Sequence, residues 1–222
     1  MRAKAKLMLS LVVSLALLGL GHWLAKAAES TDGSHIIMVR EDRPDLNFVG
    51  QYVNSGATSH QFGYLSKIEG IGNVFNSDMT KNESTAMFTF STYANNVLVI
   101  NNGPIRAVNR TGSTTIYFHP EGGANFADPS TFEAGVPIQV SDYEQQVILN
   151  PSIPFPFTTA HLNTVTSATS FMLTSVLLRL GRVGDAYRTH FTGSSNTGTP
   201  PPSGYFAGYA SGVSHSLAQP LD

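Results

Sequence analysis

The side chains of this 222-residue sequence that are able to do chemistry are few and widely spaced. Glu69 stands beside Gly70 at the end of an apolar segment, where a carboxylate can orient a ligand or act as a general acid or base. Lys67, two residues earlier, gives the same carboxylate a plainer reading as one half of a solvated pair. Asp142 and Glu144 share one face of a strand, yet glycoside hydrolysis needs an opposing acid that no other segment offers. An outward acidic face is the expectation there. His161 and Asn163 alternate with Ala160 and Leu162, which predicts a polar spot on a strand with one apolar side. Arg188 shares a face with His190, away from Tyr187, Thr189 and Phe191. Glu69, His161 and Arg188 are therefore the candidate catalytic or polar-contact residues.

Other chemistries find less support. His119, Glu121, His161 and His190 are metal-ligand types, but nothing in their spacing requires convergence, so no metal site is expected. Gly70-Ile71-Gly72 lacks the third glycine and the following helix of a dinucleotide loop, and no cofactor is expected. No Gly-x-Ser-x-Gly pentapeptide is present for a serine hydrolase. Arg106, Arg110, Arg179, Arg182 and Arg188 have two readings, as anchors for an anionic head at a mouth or as surface partners of acids. The absence of Cys excludes disulfides, thiolate metal sites and cysteine nucleophiles.

The elements that must position these residues read as strands. Ala86, Phe88 and Phe90 alternate with Met87, Thr89 and Ser91, the period of a half-buried strand. A short run at 97–100 leads to the turn Asn101-Asn102-Gly103-Pro104, and 105–109 and 113–118 are expected to pair around Arg110-Thr111-Gly112. Further strands are expected at 137–149, 156–168, 171–180, 186–192 and 205–213. Strands at this spacing without intervening helices predict an all-β fold, a single antiparallel closed barrel of about eight strands. The barrel is expected over 61–213, after a polar lead segment at 28–60 that holds one strand at 47–53, and before a tail at 214–222.

Composition agrees with a folded, weakly charged domain. The chain is 41% hydrophobic and 13% charged, with net charge −2 and no basic run beyond residue 6, which argues against a nucleic-acid partner. Arg2, Lys4 and Lys6 precede an apolar run at 7–20 and then Ala25-Lys26-Ala27, the three parts of a cleavable signal peptide at 1–27. Gly19, Gly21 and His22 interrupt the run, so no stable membrane span is expected after cleavage. Removing it takes four of 13 basic residues and no acid, leaving 9 against 15 and a net charge of −6. The expected location is secreted or periplasmic.

Several phrases together resemble a known family. Gly63-Tyr64-Leu65-Ser66-Lys67-Ile68-Glu69-Gly70-Ile71-Gly72-Asn73-Val74-Phe75 leads into Glu83-Ser84-Thr85-Ala86-Met87-Phe88-Thr89-Phe90. Gly204-Tyr205-Phe206-Ala207-Gly208-Tyr209-Ala210-Ser211-Gly212 resembles the Gly-x-Phe-x-Gly-x-x-x-Gly pattern of the allene oxide cyclase and dirigent families, small calycin-type barrels. The resemblance implies a barrel enclosing a small apolar molecule, lipid or terpene-like, and an isomerase or cyclase that works through substrate conformation. Phe88, Phe90, Tyr117, Phe118, Phe191 and Phe206 would then shape the ligand cavity, and a homo-oligomer is compatible with it. The segment 119–129 departs from the plant cyclase pattern. The alternative is a non-catalytic carrier of lipocalin-like shape or a surface interaction domain, with its function on the loops at 119–135 and 193–204.

Overall fold

The computed structural model describes residues 33–37, 45–150, 156–196 and 202–213. The expected signal peptide at 1–27 and the tail at 214–222 lie outside them. The strands are β1 (His35–Ile37), β2 (Leu46–Ser55), β3 (Thr58–Ile68), β4 (Phe88–Asn102), β5 (Ile105–Phe118), β6 (Val136–Leu149), β7 (Phe157–Ala168), β8 (Phe171–Leu173), β9 (Val176–Leu180), β10 (Ala186–Ser195) and β11 (Ser203–Val213). Eight of them close into a barrel in the order β10-β11-β2-β3-β4-β5-β6-β7, every described pair antiparallel. The all-β closed barrel expected from the sequence is the fold observed.

Three details differ from expectation. β2, placed by sequence in the lead segment, is the closing stave, pairing with β11 from Leu46↔Ala210 to Val53↔Ser203. Without it β3 and β11 would each present an unpaired edge. The hairpin expected around Arg110-Thr111-Gly112 is instead one continuous strand, β5. Gly112 serves close approach, because a Cβ there would run into the Tyr93 carbonyl of β4. The chain reverses at Gly103-Pro104, with Gly103 at φ +57°. The single strand expected at 171–180 is the β8–β9 hairpin, which turns through Thr174 at φ +59°.

Glycine and aromatic residues face each other across the barrel wall. Gly50 pairs with Phe206, Gly63 with Phe90, Gly193 with Phe157, Gly204 with Tyr52 and Gly208 with Phe191. A Cβ on Gly50 would lie 2.6 Å from Phe206 Cζ, and one on Gly208 would lie 2.5 Å from Phe191 Cβ. Each missing side chain lets a ring lie against the neighbouring strand, a device for strongly coiled sheets. The rings then meet inside, Phe191 stacked on Phe206 at 4.3 Å and Phe48 edge-on to Phe90, Phe191 and Phe206.

The two ends of the barrel differ. At one end Ile68, Phe88, Phe118, Ile138 and Val165 pack in one buried cluster with Val74, Phe75, Ala86 and Met87 of the β3–β4 connection. Phe171 and Leu180 of the β8–β9 hairpin join the same cluster and cover this end. On the outer wall, segment 119–135 carries a 3-10 helix (Pro129–Glu133) capped by Asp128, whose fully buried Phe132 packs on Phe62 and Phe126.

Candidate functional site

The opposite end holds a cavity of about 280 Å³. Its apolar wall is Val108, Val147, Leu149, Phe157, Phe191 and Phe206, from β5, β6, β7, β10 and β11. Its polar wall includes Asn54, Gln61, Asn96, Arg106, Arg110 and Gln145. Alternation places them there: in β5, Val108 and Arg110 stand two apart, and in β6 so do Gln145 and Val147. Phe191, Phe206 and Gln61 also line a smaller inner void of about 50 Å³, together with Phe48, Phe90, Tyr143 and His161. They therefore separate the two spaces.

A chain of hydrogen bonds crosses the interior. Arg110 donates through Nε to Asn96 Oδ1 at 2.8 Å, through one Nη to Gln145 Oε1 at 3.5 Å and through the other to Asn54 Oδ1 at 3.4 Å. Gln61 Nε2 donates to Gln145 Oε1 at 3.3 Å and to Tyr143 OH at 3.0 Å. With its carbonyl so occupied, Gln145 turns its amide N–H toward His161 Nε2, 3.0 Å away. This assigns Nε2 as the acceptor and puts the ring proton on Nδ1, 2.8 Å from Thr189 Oγ1. Asn163 Nδ2 donates to the same Thr189 oxygen at 3.3 Å.

Burial governs the electrostatics of this chain. It holds the His161 imidazole down to about 3, with smaller contributions from His190 and Arg110, so the ring is neutral at ordinary pH. It pushes the Tyr143 hydroxyl far above the usual tyrosine range and Tyr187 up to about 12. Arg110 is held below the ordinary arginine value by the same desolvation. The two spaces are thus lined by neutral hydrogen-bonding groups and by the guanidinium groups of Arg110 and, at the rim, Arg106, and among the described residues by no Asp or Glu.

The residues singled out from sequence divide between interior and exterior. His161 is 6% exposed and lines the inner void with Phe90, Phe191 and Phe206. Phe88 and Phe118 pack with Phe171 in the covered end. Glu69 lies past the end of β3, its carboxylate 2.9 Å from Lys67 Nζ, and lines neither space. Arg188 is exposed on the outer face of β10, and Tyr117 lies outside beside Glu133. Asp142 and Glu144 are exposed, an outward acidic face as expected. Gln61, Tyr143, Gln145 and Thr189 were not singled out, although the i, i+2 alternation of Tyr143, Gln145 and Val147 carries their signal.

A second polar group occupies the outer wall. Glu133 Oε1 accepts from Ser91 Oγ at 2.7 Å and Tyr93 OH at 2.7 Å, and lies 3.6 Å from His60 Nε2, which is 2.9 Å from Ser91 Oγ. These are the residue types of a nucleophile relay in the wrong order. The acid binds the hydroxyl, whereas a relay needs it on the far ring nitrogen, and Ser91 is only 2% exposed. The group fastens segment 119–135 to the wall. Among the described residues, no three His, Asp or Glu gather where they could hold a metal ion.

Fold and interior together define a closed eight-stranded antiparallel barrel with one covered end and one cavity-bearing end. No protein-family model, curated protein or solved structure matches the chain.

Proposed function

We propose that the chain is an exported binding barrel, which holds one small, mainly apolar molecule in the cavity at its open end. The observation that carries this reading is the space of about 280 Å³ walled by six apolar side chains at one end of a barrel whose other end is covered by buried side chains of the β3–β4 connection and the β8–β9 hairpin. That volume stands at the lower edge of the roughly 300–1,000 Å³ of small-molecule pockets. A carrier is favoured over an enzyme because, among the described residues, the interior lining has no carboxylate and its one histidine is held neutral. A cyclase or isomerase similar to the allene oxide cyclase and dirigent families would use the same space by confining its substrate's conformation. The glycine–aromatic pairs and the neutral Gln61–Tyr143–Gln145–His161 floor support that second reading.

An environment-sensitive apolar dye tests the binding function. Saturable, blue-shifted binding at one dye per chain is expected, and Val147→Trp, which fills the cavity from β6, is expected to remove it. Absence of binding, or binding unaffected in a folded Val147→Trp variant, would contradict the reading.

A further inference from the structure

The cavity lining is chemically one-sided. Among the described residues it includes two arginines, Arg106 at the exposed rim and Arg110 deeper on β5, and no Asp or Glu, in a chain with more acids than bases. The connections at 151–155 and 197–201, which join strands ending at this mouth, contain no acid either. Arg110 is half-buried, and its hydrogen-bond partners are the neutral amides of Asn54, Asn96 and Gln145, two of them at 3.4 Å or more. Among the described residues, no carboxylate lies within ion-pair distance of it. A guanidinium withdrawn from water without an anion is costly, and this one still has an unused N–H on each terminal nitrogen. Two N–H donors on one planar guanidinium can meet the two oxygens of a planar carboxylate.

We propose that the ligand is an amphipathic monocarboxylate, its head held by Arg110 and its apolar body laid against Val108, Val147, Phe157, Phe191 and Phe206. This deepens the binding reading above and rests on it. The half-buried Arg110 supplies the head site, and Arg106 at the rim adds attraction during entry. The amides of Asn54, Asn96 and Gln145 hold the guanidinium plane in place, so that little side-chain freedom is lost when the acid binds.

The test compares three probes with one apolar body, decanoate, decanol and decylammonium, titrated by calorimetry into the protein purified from exporting cells. Decanoate is expected to bind at least about tenfold more tightly than decanol, with decylammonium weakest. Arg110→Gln should collapse the decanoate-to-decanol ratio to near one, and Arg110→Lys, which keeps the charge but loses the fork, should leave an intermediate ratio. Circular dichroism confirms the fold of each variant. Equal affinities for decanoate and decanol in the unmodified protein, a preference for decylammonium, or a ratio untouched by Arg110→Gln would overturn the proposal while leaving apolar binding intact. Failure of all three probes and of the apolar dye would overturn the binding function itself.

Discussion

His161 is the residue through which the interior responds to pH. Its imidazole sits at about 3 in the folded chain against 6.5 ordinarily, so between those values the unfolded chain binds a proton that the folded one refuses. Stability is then full above about 6.5 and falls as the pH drops toward 3, by up to about 1.4 kcal/mol per pH unit. Urea midpoints at pH 7.5 and 4.5 should diverge more in the natural chain than in His161→Gln, and equal divergence would show that the ring is not the titrating group. The sequence made His161 visible because Ala160 and Leu162 bracket it on a strand with one polar face. Arg110 stands in the sequence as one of five arginines with two readings, mouth anchor or surface partner, and the turn-like company of Gly112 masked the strand in which Val108, Arg110, Thr114 and Ile116 line the interior. Tyr117 and Phe118 could not both face inward, since adjacent strand residues point to opposite sides; Phe118 packs inside and Tyr117 lies out.

At the scale of elements, the wall is set by where glycine lets neighbouring strands and rings approach. A Cβ on Gly63 would press on the Val49 carbonyl and stand 2.6 Å from Gly50 Cα and 2.9 Å from Phe90 Cζ, so backbone would have to move. Gly63→Ala is expected to cost about 2 kcal/mol and to lower the melting temperature by roughly 4–8 °C. Gly72→Ala, with nothing within 4 Å of the added methyl, should change stability by less than about 0.5 kcal/mol. Equal melting temperatures for the two variants would contradict the role given to the glycine–aromatic pairs. The same glycines limited what could be read in advance. Leu46, Phe48, Gly50 and Tyr52 alternate into the core, but Gly50 blanks one inward position and left β2 looking like part of a polar leader. The β8–β9 turn passes through Thr174, a residue type that rarely takes positive φ, and so gave no turn signal.

For the whole molecule, closure of the sheet and packing of its core hold the fold without disulfides, since the chain has no cysteine. β11 against β2 closes the barrel's own edge, and buried side chains from Ile68 to Leu180 cover one end while the other keeps its space. Strand number and closure were legible because short alternating segments recur between turn signals. The division into a covered end and an open one was not, because it depends on how the β3–β4 connection and the β8–β9 hairpin fold back. A protein built this way in its own host should carry what it binds. Native mass spectrometry of the chain purified from that host is the most direct measurement, with the intact mass also reporting cleavage near Ala27. The account predicts a non-covalent adduct of a single small acid at one per chain, lost from both Val147→Trp and Arg110→Gln; a chain always recovered empty, or an adduct kept by both variants, would contradict it.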